Sequence, residues 1–517
     1  MRKLVKKHLP LLIFLISLSS FTFLFFIQRN FMTNIDERDQ IVNAFLMANG
    51  LKVYKDFFTT HFPLPYYWVY IFTPFWTNSP PHRVISILRL SIVILYYLSF
   101  LAVFFVSRSR KTKTALCLWI ISLSTFASLY HGNLLLSETF VAIFISSLFW
   151  LILPLVFAWE KINFVKSVLI FLFVSLAFWT QPLLAPLFLI PLLLIPGKIL
   201  KKIFPSFFIL NLLPLALFHL SGQLQGFWEN AVWFNFRVYS SFFPERIGHY
   251  SMLQQNFISF FQNEISFLEP FSGFIGSWQF VIHAAVLGLL IWTIGKRNWR
   301  LSISFLLLFY GVRAREIKII PGKIFNFGIY PLALLGSASF IALITFIFPK
   351  KKIISLLALG LLFGLSIKES LPIINQSLKP GYNYHVFWSW RQEIGETINN
   401  LTQPEEKILI YPHDVDLYFF ANRKPIDRFT YWFPWLDSVK RYHDERETSL
   451  KTAPPPVIYI GNFTYKNNPH LYAQFFPDLL NGYSQIAKNG QPTNIWLRDD
   501  LNQRLKAPYS LFTTNKQ

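Results

Sequence analysis

The chain has 517 residues, of which 53% are hydrophobic and 14% charged, with 58 Phe and 16 Trp. A soluble domain keeps roughly a quarter of its residues charged, so the composition excludes an ordinary soluble protein and implies one solvated by lipid. The net charge of +22 does not describe a nucleic-acid-binding face, because the basic residues gather in clusters between apolar runs.

The apolar runs are continuous and near the length that crosses a bilayer core as helix, which excludes an alternating β-barrel pattern. The basic clusters are Arg2 to Lys7, Arg108 to Lys113, Lys161 with Lys166, Lys198 to Lys202, Lys296 to Arg300 and Lys350 to Lys352. By the positive-inside rule they mark the cytoplasmic side. Cys117 is the only cysteine, so neither an intrachain disulfide nor a cysteine-based zinc site is expected.

In chain order, Leu9 to Ile27 is read as a retained first helix with a cytoplasmic N-terminus. It is too long for a signal-peptide core and lacks a small-residue cleavage site. Residues 29–83 then form a long outer loop. Further helices are expected at about 84–106, 114–130 and 138–159. A hairpin follows, broken at Thr180-Gln181-Pro182 where the proline stops the helix, and another helix spans about 203–220. A second outer loop begins at Ser221, and four more helices end near Ile367. The total is about eleven spans. Within the first loop, a short helix over 38–49 should stop at Gly50, and the aromatic stretch 63–76 suits a helix lying at the membrane surface.

After about Lys368 the chain becomes polar. The runs KILIY, VIYIG and NIWLR at 407–411, 457–461 and 494–498 read as strands between helical or loop segments. The expected organisation is a transmembrane part over 1–368 and a small extracytoplasmic α/β domain over 369–517, with a parallel or mixed sheet. No phosphate-binding glycine loop is present, which argues against a nucleotide-driven pump.

The scarce charge concentrates in residues 34–68, NIDERDQIVNAFLMANGLKVYKDFFTTHFPLPYYW. A carboxylate such as Asp36, close to the end of the first helix, can take a proton from a hydroxyl. Equally, Asp36, Glu37 and Asp39 could solvate a loop and favour a helix N-terminus. Glu138, at the start of the fourth helix, carries the same two readings. A basic cluster of Arg313, Arg315, Lys318 and Lys323 falls on the expected outer side, against the charge rule, and suits either a phosphate or anionic lipid. Residues 226–250 mix aromatics with Glu229, Asn235 and Arg237, and either line a sugar pocket or form an interfacial belt. His413, Asp414 and Asp416 have a spacing that could suit a metal, or they form a strand-end loop.

The first loop resembles that of the GT-C membrane glycosyltransferases, in particular the protein O-mannosyltransferase and aminoarabinose transferase family. The matching residues are Asp36-Glu37, Ala44, Gly50, Val53-Tyr54-Lys55-Asp56-Phe57, His61, Pro63-Leu64 and Tyr66-Tyr67. DLYFFANRKPIDRF at 416–429 looks like a tail-domain motif of bacterial relatives. The resemblance implies transfer of a sugar from a polyprenyl-phosphate donor to a lipid, protein or glycan acceptor on the outer face of the plasma membrane. It makes Asp36 the catalytic carboxylate, with Glu37 and Glu138 as acidic neighbours in the site. It places His61 near the donor phosphate, and Tyr54, Asp56 and Tyr66 near the sugar and acceptor, where Arg237 of the second loop would join them on the sugar-pocket reading of that loop. It also implies that His413, Asp414 and Asp416 form a strand-end loop that faces the membrane part. Some relatives add a lysine beside the histidine, where this chain has Phe62-Pro63. Phosphate neutralisation is therefore expected from Arg313, Arg315 and Lys323. No cofactor is required by this reading, and a divalent metal remains open.

Two other classes fit less of the sequence. A transporter or lipid flippase needs ionisable groups inside several spans, and the middle helices show almost none. A polyprenyl-linked glycan polymerase or ligase would place its key cations in late outer loops without the Asp-Glu motif.

Overall fold

A computed structural model describes residues 2–29, 34–76, 80–127, 132–156, 161–239, 278–313, 326–347, 352–379, 388–461 and 476–512. The helical part comprises α1 Arg2–Gln28, α2 Ile35–Ala48, α3 Leu64–Ile71, α4 Pro81–Val106, α5 Arg110–Phe126, α6 Ser137–Val156 and α7 Phe164–Thr180. It continues with α8 Leu189–Leu194, α9 Gly197–Leu220, α10 Leu224–Phe227, α11 Trp278–Gly295, α12 Trp299–Arg313, α13 Asn326–Ala342 and α14 Lys352–Ser377. Helical segments lie at each place where an apolar run is found. Among the described residues, however, only four are long and apolar enough to cross a membrane unaided, or five if the pair bent by 48° between Leu356 and Ser377 counts as one. Proline explains part of the shortfall. After Pro182 the chain follows a 3-10 path over Pro182–Phe188 before α8, as a ring without an N–H and with fixed φ dictates.

The core runs through α6, whose residues are buried almost throughout, while α9 exposes Phe208, Ile209 and Leu212. α6 packs on α7 and α13, and α1 packs on α5. Trp119 of α5 donates through Nε1 to the Leu334 carbonyl at 3.2 Å and to Ser337 at 3.0 Å, so its polar edge is satisfied inside the bundle.

The C-terminal part contains α15 Ser389–Leu401, β1 Leu409–Tyr411, α16 Asp416–Ala421, α17 Pro434–Asp437, α18 Lys440–Thr452, β2 Val457–Ile460, β3 Tyr483–Lys488, β4 Gln491–Arg498 and β5 Tyr509–Leu511. The sheet order is β1-β2-β4-β3-β5. β1 and β2 are parallel, with Leu409 opposite Ile458, and the remaining pairs are antiparallel. The sheet is thus mixed. Two of its strands, β3 and β5, carry too little β-branched or alternating character to announce themselves in the sequence.

Parallel pairing sends the carboxyl ends of β1 and β2 the same way, which in open α/β sheets is where ligands bind. Here that end meets α2. Phe45 of α2 packs edge-on against Phe419 of α16, with ring centroids 5.8 Å apart, and Phe58 donates its N–H to the Arg428 carbonyl at 2.7 Å.

Candidate functional site

The site is built around the N-terminus of α2. Asn34 caps the helix with its side-chain oxygen, which accepts from the Asp36 N–H at 2.9 Å, and Asp36 and Glu37 occupy the first turn, where negative charge is favoured. Gly50, at φ 83°, ends the helix in the left-handed conformation that a Cβ resists.

The two members of the Asp-Glu pair go different ways. Asp36 is half-buried, whereas Glu37 is wholly inside the protein. Glu37 is gripped by Arg89 of α4, from Nε at 2.8 Å and from Nη2 at 2.5 Å, and accepts the Leu135 N–H at 3.2 Å. Arg89, equally buried, donates its remaining Nη1 to the Arg29 carbonyl at 2.9 Å. One bidentate pair thus ties the end of α1, the start of α2, α4 and the loop before α6 together. Glu37 is therefore a buried tie at the first turn of α2, next to Asp36. Arg89 was legible in principle, since an arginine inside an apolar run needs a partner.

Glu138, in the first turn of α6, is also buried, three residues past the Leu135 amide that holds Glu37.

His61 is fixed from its backbone. The hydroxyls of Tyr54 and Tyr66 donate to its carbonyl at 2.8 and 2.9 Å and contact each other. Burial drives both phenols well above their ordinary pKa, so they act as neutral donors. Tyr54 and Tyr66 are thus a clamp under His61 and not the wall of an open sugar pocket. Asp56 is exposed and closes its own turn, accepting the Lys52 N–H at 2.7 Å.

The second loop locks this arrangement. Gln223 and Asn230 donate to the Val53 and Tyr54 carbonyls at 2.9 and 3.3 Å, and Asn235 donates to the Thr60 carbonyl at 2.6 Å. Gly226 makes this approach possible, for a Cβ there would come within 2.1 Å of the Tyr54 oxygen. Arg237, on the π-helical segment Trp228–Val238, is exposed. Glu229 of the same segment receives Arg441 at 2.6 Å and the Tyr442 hydroxyl at 2.9 Å, binding the second loop to α18.

One residue not singled out for chemistry in the sequence stands beside Asp36. Asp39, one helical turn on, is 8% exposed, and its carboxylate lies 3.8 Å from His61 Nε2. Burial first, and then the charge of Asp36, push Asp39 well above the ordinary carboxylate range, with Arg38 opposing. The imidazole at 3.8 Å is close enough to pair but does not offset that burial. Burial thus favours the neutral form of Asp39.

The C-terminal part supplies the rest. Arg38 reaches Asp414 at 3.5 Å and Asp416 at 3.8 Å, and Arg391 of α15 binds the same two carboxylates at 2.7 and 2.5 Å. The strand-end loop 412–416 therefore faces the helical part. It brings His413 and, nearby, Tyr431 into the neighbourhood of Asp36 and Asp39; the charges of both carboxylates act on Tyr431, whose phenol burial holds well above its ordinary pKa. Among the described residues no group of three or more His, Cys, Asp or Glu is placed to hold a metal ion.

Phe62, the residue after His61, lines an open groove of about 920 Å³ between α7, α9 and α10. Phe178, Trp179, Phe207, Phe208 and Phe227 are part of its largely apolar wall, with Asn211 and His219 among the few polar groups. The side chain of Arg313, at the end of α12, and all of Arg315, Lys318 and Lys323 lie outside the described residues.

No protein family matches the chain by sequence, and no curated protein does. Among solved structures, the Archaeoglobus fulgidus oligosaccharyltransferase in the apo form is 13% identical, with a TM-score of 0.48 over 98% of this chain and 76% of that one. The same enzyme tethered to an acceptor peptide containing the NVT sequon gives 13% identity and a TM-score of 0.49 over the same shares. Its complex with Zn and sulfate gives 14% and 0.43 over 88% of this chain, which there spans 66% of the solved chain.

Proposed function

We propose that the protein is a multi-pass membrane glycosyltransferase that moves a sugar from a polyprenyl-phosphate donor to a hydroxyl acceptor on the extracytoplasmic face, inverting the anomeric carbon, with Asp36 as general base. The observation that carries this reading is a half-buried carboxylate, Asp36, held on the helical turn of the Glu37–Arg89 lock where the first loop meets the C-terminal part, one turn before Asp39, whose carboxylate lies 3.8 Å from His61 Nε2. The loop resemblance to the O-mannosyltransferase and aminoarabinose transferase family supports the same assignment.

In the proposed reaction the acceptor hydroxyl gives its proton to the Asp36 carboxylate and its oxygen attacks C1 of the donor sugar. The bond from C1 to the phosphate oxygen breaks, and polyprenyl phosphate leaves with that electron pair. Little covalent work falls to the protein, so catalysis rests on positioning and charge. A general base contributes about 10²–10⁴ in rate. His61, with its carbonyl clamped, is aimed to meet the leaving phosphate. The loop after α12 is proposed to add Arg313, Arg315 and Lys323, because the helix order expected from the sequence puts these cations on the side opposite the other basic clusters. The aromatic groove that starts at Phe62 suits the isoprenoid chain, since apolar area of that extent favours a hydrocarbon over a polar ligand. Glu37, Tyr54 and Tyr66 are positioning residues in this scheme.

The test is to incubate the purified protein in liposomes with a panel of polyprenyl-phosphate sugars and measure release of polyprenyl phosphate. Asp36→Asn is expected to stay folded and lose release by at least about a hundredfold. Undiminished release by that variant would overturn the assignment.

A further inference from the structure

His413 is placed where a structural histidine has little reason to be. It is 6% exposed, and its Nδ1 has no hydrogen-bond partner among the described residues. Its ring lies against Tyr431 and Phe433, with centroids 5.4 and 5.1 Å away. Burial, reinforced by Arg38, lowers its pKa to about 4 despite the opposing charges of Asp36 and Asp416, so the imidazole is neutral at physiological pH. A buried polar atom left without a partner costs about 1–3 kcal/mol, and such atoms in native structures call for an explanation. A phenylalanine would pack on the same two rings without that cost.

The surroundings point to what completes it. His413 sits at the carboxyl end of β1, beside the parallel β2, the end of such a sheet where ligands bind. Its charged neighbours Arg38, Asp36, Asp416 and Arg391 come from the first loop, α16 and α15, so the ring lies at the junction that carries Asp36. The order of groups also matters. Phe62 lines the apolar groove, His61 directly precedes it in the chain and faces Asp39, Asp39 and Asp36 both act on Tyr431, and Asp36 acts on His413, which closes the series at the other end. In an in-line displacement the acceptor approaches opposite the leaving group, so a lipid phosphate on the groove side places the acceptor on the His413 side.

Resting on the reading of Asp36 given above, we infer that His413, Tyr431 and Phe433 form the acceptor subsite, and that the acceptor is a sugar whose hydroxyl bonds His413 Nδ1. A hydroxyl can both donate and accept, so it satisfies the neutral ring in either tautomer. The flanking aromatic rings receive the apolar side of a sugar ring and leave the polar edge to His413. The C-terminal part thereby selects the acceptor, and the helical part holds the donor.

The test uses the full chain in nanodiscs and saturation-transfer NMR with methyl α-mannopyranoside, methyl β-glucopyranoside and methyl N-acetyl-β-glucosaminide as probes. At least one is expected to bind. His413→Phe should weaken that binding by about three- to tenfold, the worth of one neutral hydrogen bond. His413→Asn, which keeps a polar atom near the Nδ1 position, should restore most of it. The unfolding midpoint of His413→Phe should not fall, which separates lost binding from lost fold. Asp36→Asn should still bind the glycoside while releasing no polyprenyl phosphate, so failure of the base assignment and failure of the subsite are read separately. Three outcomes would overturn the inference: no glycoside binds, His413→Phe binds as well as the natural protein, or the sugar-bearing donor displaces the glycoside while polyprenyl phosphate alone does not. The last would place the donor's sugar there instead.

Discussion

Replacing Glu37 with Gln tests whether the Asp-Glu motif is one base and one lock. The substitution keeps the shape of the side chain but leaves the Arg89 guanidinium inside the protein without its carboxylate. Both partners are fully buried and the pair is bidentate at 2.8 and 2.5 Å, so the amide NH₂ must face a cationic N–H where an oxygen stood. Breaking a buried pair on one side costs roughly 3–5 kcal/mol. Arg89→Leu should cost a similar amount, because Glu37 would keep only the Leu135 amide of its recorded donors. Replacing both with Leu removes both charges, so the double variant should lose less than the two singles together, with a coupling of about 2 kcal/mol or more. Cys117, the only cysteine and buried, gives the assay: a maleimide dye that fluoresces on reaction reports its exposure as the detergent-solubilised protein is heated. A single variant that melts with the natural protein, or a double variant that falls by the full sum, would refute the lock. Donor release at a temperature where Glu37→Gln is still folded should drop as well, since Asp36 rides on the same helical turn.

Asp39 is expected to behave oppositely. Burial raises its pKa in the folded protein well above the ordinary carboxylate value of about 4, so as pH climbs above about 4 the unfolded chain releases a proton that the folded one retains, and stability falls. Asp39→Asn removes that decline, and its unfolding midpoint should gain on the natural protein as pH rises from 4 toward neutrality; parallel curves would show that Asp39 is not held neutral by burial. Gly226→Ala should uncouple the second loop from the first, because its Cβ would meet the Tyr54 carbonyl at 2.1 Å, a backbone atom that has no rotamer to escape into. Loss of donor release with little change in far-ultraviolet circular dichroism is the expected result, and full activity would show that the loop contact is dispensable.

The sequence determined the lipid-solvated class, the places of the apolar helices, α2 with its Gly50 stop, the α3 segment and three of the five strands. These depend on local composition and periodicity, which a chain carries within itself. Helix length was less legible: prolines and 3-10 or π turns shorten several apolar runs, and run length alone does not reveal them. The loop motif also pointed to Asp36 and His61. It could not say that Glu37 turns inward, because that choice rests on Arg89, 52 residues away in the chain. Nor could it separate Tyr54 and Tyr66, which support His61 from below, from residues that line an open pocket. Asp39 looked like any solvated acid until burial against the C-terminal part was seen, and His413 looked like a strand-end residue until its ring was found facing the charges around Asp36. Ionisation and hydrogen-bond satisfaction depend on what stands within a few ångströms, whatever its distance along the chain. For that reason the chemistry of single residues in this junction was decided only when tertiary structure brought residues 34–61, 89 and 413–431 together.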